Sequence, residues 1–314
     1  MAVSPVPDCA PRRTALIVGC CTGICAVLIY FLCALPLFVG GTQSLGYWLW
    51  QAWNPMNHQE HSRFVLPICA GLLWWHRHRL ASAPRAPSMA GLVPVALGIA
   101  CFLAAVRTAQ PRLAVLTLPL VCWGGTVFVW GWQVASVCRF PFCFLLLMMP
   151  LGNYVQGTVS LQLLVSGACN LLAPLAGLQI EVAGTTIRSA DGSFHFEIAE
   201  GCSGVRSLMS ILMLAALYVH FSQPILWKKI AVFCGSLLFS VIGNIARIFS
   251  VLVAARLFGP GWAGGLYHDY SDFVFFPAAV GAMMGFNHWI SRDWSRLAPR
   301  PAADAGPAET PYDY

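Results

Sequence analysis

Three short segments of this 314-residue chain carry residue types able to do chemistry. The first is EGCSGVRSL at 200–208, where Cys202 stands among Glu200, Ser203, Gly204 and Arg206. A thiol at a helix start feels the positive end of the helix macrodipole. Such a position can lower a thiol's pKa from about 8.5 into a range of about 3.5–7.5, which would give a thiolate at neutral pH. Gly201 and Gly204 leave room for a substrate backbone to approach. The second segment is SVIGNIARIFSVL at 240–252, in which Ser240, Asn244, Arg247 and Ser250 recur every three or four residues. That spacing puts them on one helix face. The third is GLYHDYSDFVFFP at 265–277, with His268, Asp269 and Asp272. An imidazole titrates near neutrality and can move a proton.

Each segment also has a plainer reading. The chain has 13 cysteines, most of them inside apolar runs where Cys behaves as a small hydrophobe. A space-filling Cys202 would not need Glu200, Ser203 and Arg206 beside it. Arg256 fits an arginine reaching for the membrane surface. Arg247 is deeper, with Asn244 one turn before it. Asp269 and Asp272 could cap a helix, and His268 could be a solvated loop residue.

The elements that position these segments follow from composition. Hydrophobic residues make up 58% of the chain and charged residues only 10%, too few charges to cover a water-soluble surface. The apolar runs are long enough for a polytopic membrane protein. Eight spans are expected, at about 15–39, 63–76, 90–106, 113–132, 140–152, 203–220, 230–253 and 271–290, in an all-α fold. The first is read as a retained helix rather than a cleaved signal, and the second and fifth are short. Residues 153–177 are expected as a helix on the outer surface. Residues 178–200 alternate in polarity on both sides of Asp191-Gly192 and are expected to form a β-hairpin turning there, outside the membrane. Residues 1–291 form one membrane domain with a catalytic core at about 195–290. Residues 292–314, rich in Pro, Ala and acids, are expected to be a disordered cytoplasmic tail, with no further domain after the last span.

Threading the spans with the N-terminus inside gives a check on orientation. The inner segments then hold Arg12, Arg13, Arg77, Arg79, Arg85, Arg139, Lys228, Lys229, Arg292, Arg296 and Arg300, which is 11 of 18 basic residues. Basic residues collect on the cytoplasmic side, so both termini are expected there. The net charge of +6 is accordingly topological, and nucleic acid is not an expected partner. This threading brings Cys202, Arg247 and His268 to the outer membrane face. Such a trio could carry out acyl transfer, with a thiolate attacking a carbonyl. The guanidinium would steady the oxyanion, and the imidazole would move the leaving-group proton.

The three segments, in this order, resemble the exosortase/archaeosortase family, whose members are membrane cysteine transpeptidases. EGCSGVRSL is similar to the family's cysteine motif, NIARI to its Asn-x-x-Arg motif and HDYSD to its His-Asp motif. The resemblance is strong over 195–290 and favours the bacterial exosortase branch. It implies Cys202 as nucleophile, Arg247 as electrostatic stabiliser and His268 as the proton-transfer residue, with Glu200, Ser203, Gly204, Arg206, Asn244 and Asp269 in support. It implies no cofactor. The implied substrate is a secreted protein with a C-terminal Pro-Glu-Pro-like signal, an apolar helix and a basic end. The helix would lie in the bilayer beside the enzyme, with the active site on the periplasmic face of the cytoplasmic membrane. The acceptor would be a polysaccharide or lipid component, linking the enzyme to exopolysaccharide and surface-protein sorting. Gly201 stands where exosortases commonly have Ala, and Asp272 where a small residue is common.

Other readings compete. A glycosyl or lipid transferase of polysaccharide export would use Asp269 and Asp272 and would not need Cys202. A transporter would put ionisable residues near the midplane rather than at one face. A zinc site from His58, His61 and His195 is a weaker idea; no metal site is expected.

Overall fold

The computed structural model describes residues 31–38, 41–54, 59–150, 155–198 and 204–292. Strands β1 (Ala34–Phe38) and β2 (Gly41–Ser44) pair antiparallel. Helix α1 (Leu45–Ala52) follows, its N-terminus capped by Ser44, whose Oγ accepts from the Tyr47 N–H at 3.2 Å. A 3₁₀ turn over Glu60–Phe64 leads into α2 (Val65–Trp75) and α3 (Arg77–Ser82). Helices α4 (Leu92–Arg107) and α5 (Pro111–Trp130) form a hairpin, and Pro111 starts α5 where its missing N–H costs nothing. Helix α6 (Trp132–Phe144) tightens into a 3₁₀ turn ending at Met148. Helix α7 (Val155–Leu172) precedes strands β3 (Ile180–Ala183), β4 (Thr186–Ser189) and β5 (His195–Glu197). Helices α8 (Val205–Ser222) and α9 (Leu226–Phe258) come next. One turn at Pro260–Trp262 and a π-helical stretch at Ala263–Tyr267 then join α10 (His268–Ser291).

Six helical stretches among the described residues are long and apolar enough to cross a membrane: Met89–Arg107, Pro111–Trp130, Val159–Ala176, Val205–Ser222, Leu226–Phe258 and Pro260–Ser291. Helix α2 and the Trp132–Met148 stretch are apolar but shorter. The chain is thus a mostly helical, multi-pass membrane protein with small antiparallel sheets. The expected span 15–39 lies mainly outside the described residues, and its end, Ala34–Phe38, is a strand rather than helix. The fifth expected span, 140–152, is the second half of Trp132–Met148. The outer-surface helix expected at 153–177 is α7, of which Val159–Ala176 is long and apolar enough to cross a membrane by length and composition. Gln162 and Ser166 of this helix are both buried, and Ser166 Oγ donates to the Gly184 carbonyl at 2.9 Å.

Hydrogen bonds sort the helix ends into two groups. At one end Ser62 Oγ donates to the Leu147 carbonyl at 3.1 Å, Trp53 Nε1 to Met148 O at 3.0 Å and Arg112 Nε to Pro150 O at 3.0 Å. Glu60 pairs there with Arg206, in the first turn of α8. At the other end His220 stacks on Phe140 with ring centres 3.7 Å apart and meets His76 edge-on. Gln223 Nε2 donates to Asn287 and Ser291 there. The α6 terminus and the β3–β5 sheet both lie at the first end, so the stretch that contains α7 starts and finishes at the same end of the bundle.

The sheet is a three-stranded meander, β3-β4-β5, where one hairpin was expected. The expected turn at Asp191-Gly192 is present and joins β4 to β5. Asp191 Oδ1 accepts from the Ser189 hydroxyl and from the Ser193 N–H. Those bonds hold its carboxyl well below the usual carboxylate range. The second turn is Gly184-Thr185, where Gly184 has φ +64°, the conformation a two-residue hairpin turn demands of its first central residue. The sheet covers the last turns of α9. Ile187, Phe194 and Ile198 are buried with Ile248, Val251, Leu252 and Ala255 of α9 and with Val165 and Cys169 of α7.

Candidate active site

Helix α9 has 33 residues, about 50 Å at 1.5 Å each, against a hydrocarbon core of about 30 Å. Lys228 and Lys229 mark its first turn. Arg247 lies 18 residues beyond Lys229, about 27 Å along the axis and therefore close to the opposite boundary of the core. The face expected from spacing forms: Ser240, Asn244 and Arg247 are all buried.

Arg247 is only 6% exposed in its side chain and is held by the first turn of α10. Its Nε donates to Ser271 Oγ at 2.9 Å, and its Nη2 to the His268 carbonyl at 3.2 Å. Its Nη1 lies 3.0 Å from Asp272 Oδ1. The Ser271 hydroxyl in turn donates to the same His268 carbonyl at 2.8 Å. From the other side, Ser250 Oγ donates to Arg247 O at 2.6 Å and accepts from the Tyr267 hydroxyl at 3.1 Å. The expected Arg247 and His268 are therefore neighbours. Asp272, for which capping was the plainer reading, pairs with Arg247. The helix runs into α10 without a break, so its first turn has no loose N–H groups for a cap to satisfy. Asp269 is exposed and lies 3.4 Å from His268 Nδ1.

Glu200, Gly201, Cys202 and Ser203 lie outside the described residues, whereas Gly204, two positions after Cys202, is described. Gly204 has φ +81° and starts α8. A Cβ there would stand 2.6 Å from Asn244 Cγ, so the backbone entering α8 is pressed onto the face that carries Arg247. Gly204→Ala is expected to destabilise the protein. The left-handed backbone costs a residue with a Cβ about 1–2 kcal/mol, and the collision with buried Asn244 adds about 1–3 kcal/mol. Thermal unfolding of the detergent-purified protein checks this. Adding Asn244→Ala should recover the collision part alone; equal melting temperatures for wild type and Gly204→Ala would refute it.

Arg206 is half-exposed and faces Glu60 at 3.8 Å, which ties the 3₁₀ turn at Glu60–Phe64 to the start of α8. Next to it, burial lowers the pKa of His61 against the opposing charge of Glu60. His58 of the suggested zinc set lies outside the described residues, and His195 is an exposed strand residue. Among the described residues no three His, Cys, Asp or Glu side chains converge as metal ligands. Spacing alone missed Ser271, Asp272 and Glu60 as partners of the arginines. Ser271 and Asp272 follow His268 by three and four residues, the helical signal that could have put them on its face.

A narrow cleft of about 10 Å³ opens beside Arg247, between α8, α9 and α10. Ser207, Ser240, Asn244, Arg247 and Asp272 form its polar side, and Ile211, Phe275 and Phe276 part of its apolar side. The arrangement offers a desolvated, oriented guanidinium, an adjacent histidine and a helix N-terminus at one end of the helix bundle. The sequence matches the family model described as transmembrane exosortase (Exosortase_EpsH) over residues 50–285. The chain belongs to the transmembrane exosortase family. That range takes in all three motifs and the helices that carry Arg247 and His268. Membership in this exosortase family gives the protein a general role as a membrane transpeptidase in protein sorting, acting on secreted substrates with sorting signals. No curated protein and no solved structure matches the chain.

Proposed function

We propose that the chain is a cysteine transpeptidase in which Cys202 attacks the scissile carbonyl of a secreted protein's C-terminal signal. Arg247 steadies the oxyanion and His268 protonates the leaving amine. The thiolate forms the C–S bond, the C–N bond breaks, and the thioester passes to an acceptor nucleophile. The observation that carries this reading is the contact of Gly204 with Asn244. It brings the chain two residues after Cys202 onto the Arg247 face, and two peptide links span at most about 7 Å. Glu200, Ser203, Arg206, Asn244 and Asp269 support the site. The substrate is a Pro-Glu-Pro-like signal followed by an apolar helix and a basic end, and the acceptor is a polysaccharide or lipid component. The direct test is a reporter protein carrying such a signal, co-expressed with wild type and with Cys202→Ala. Processing by the wild type alone supports the reading, and processing by both sinks it.

The site end is the periplasmic side of the cytoplasmic membrane in this reading. Among the described residues, Glu60, Glu181, Asp191, Glu197, Asp269 and Asp272 all lie at that end. The described basic residues divide evenly between the two ends; the bias of 11 to 7 toward the cytoplasmic side comes from Arg12, Arg13, Arg296 and Arg300, which the sequence threading adds to the other end. Reporter fusions after Ala298 and within 184–193 should report opposite sides. The same side for both would overturn the orientation.

A further inference from the structure

The three groups that hold Arg247 belong to one helical turn. The His268 carbonyl, Ser271 Oγ and Asp272 Oδ1 meet Nη2, Nε and Nη1 respectively. Ser271 donates its own proton to the His268 carbonyl, which leaves its lone pairs to accept from Nε. A guanidinium has five N–H groups in one plane. Three are committed to this turn, which fixes the plane and leaves two for an oxygen of a ligand. Asp272 is 48% exposed, and a half-exposed ion pair adds little to stability. Its value therefore lies in orientation.

We propose that Ser271 and Asp272 are positioning residues which, with the His268 carbonyl, form a guanidinium receptor that aims Arg247 at the reacting carbonyl. The receptor sits on the helix that bears His268, so the stabilising cation and the proton-transfer group move as one unit. The aiming role rests on the transpeptidase reading; the receptor itself does not.

The test uses the full chain, purified in detergent, with Arg247→Ala to empty the receptor. Removing the Arg247 side chain frees the space that a guanidinium ion would fill, beside the adjoining cleft. Low-millimolar guanidinium chloride should raise the melting temperature of Arg247→Ala, and methylammonium chloride should not. The triple variant Arg247→Ala/Ser271→Ala/Asp272→Asn should lose the guanidinium response. An equal response in the two variants, or none in Arg247→Ala, overturns the receptor. If Arg247→Ala does not fold, Ser271→Ala and Asp272→Asn carry the test on the reporter substrate. Misplacing a reacting group by about 1 Å costs up to about 10²-fold, so each should lower kcat about 10-fold or more while KM changes less than about twofold. Asp272→Glu should recover part of the loss. Unchanged kcat in both single variants overturns the proposal. A guanidinium response in a protein that processes no reporter upholds the receptor and removes the transpeptidase reading.

Discussion

Cys202→Ser is expected to lose processing of the reporter substrate by about 10³-fold or more, and Cys202→Ala by as much. Single removal of a covalent nucleophile costs losses of this order or larger. The physical ground is the difference between a thiolate and a hydroxyl. A free thiol near pKa 8.5 is only a few per cent ionised at neutral pH, and burial would lower that fraction. Three features act the other way. Cys202 precedes α8, whose N-terminus carries the positive end of its dipole. Arg206 lies in the first turn of that helix, and Arg247 lies on the face that Gly204 touches. A serine hydroxyl gains no comparable ionisation from these charges and depends on a base within reach. The measurement is the ratio of processed to unprocessed reporter in cells at matched enzyme levels. A membrane-impermeant alkylating reagent should also label Cys202 faster than an ordinary thiol at neutral pH, and Arg247→Ala should slow the labelling. Intact processing by Cys202→Ala would end the transpeptidase reading and turn attention to Asp269 and Asp272.

Arg247→Lys is expected to fail as a replacement although it keeps the charge, with processing down by about 10²-fold or more. That is the loss typical of removing one oriented donor to a developing oxyanion. Arg247 bonds its three acceptors through three different nitrogens of one rigid plane. A lysine ammonium is a single point at the end of a flexible stem. It can approach Asp272 or the His268 carbonyl, but it has no donor at the position of Nε, so Ser271 Oγ loses the N–H it accepts from and keeps only its own bond to the His268 carbonyl. Whatever donor remains is aimed by chance rather than by the α10 turn. Folding should survive better than activity, because the positive charge near the membrane boundary still has Asp272 as its counter-charge. Melting temperature and processing measured together separate the two effects. Near-normal processing by Arg247→Lys would reduce Arg247 to a structural charge.

How much of this could be read before any fold was known varies by residue. The face of Ser240, Asn244 and Arg247 was legible because a helix repeats every 3.6 residues and nothing else is needed to place neighbours on it. The turn at Asp191-Gly192 was legible for a similar local reason. The turn at Gly184-Thr185 was not, because the alternation of QIEVAGTTIRS runs through it and only strand pairing reveals the break. The burial of Gln162 and Ser166 in α7 was not legible, because it depends on neighbouring segments that no sequence window contains.

The sequence by itself determined the solvent of this protein and singled out the residues proposed for its chemistry. Runs of apolar residues can only be helices in a bilayer, since each backbone group must find its partner within the segment. Charged residues in those runs mark function because placing them there is costly. Only the tertiary structure decided which groups those charges meet. Asp272 holds Arg247 rather than capping its own helix, Glu60 meets Arg206 across more than a hundred residues, and Gly204 has no Cβ because Asn244 occupies that space. These pairings depend on how α8, α9 and α10 cross and at what height each begins. Crossing and height are set by side chains interlocking over whole helix lengths, which no periodicity within a single helix encodes.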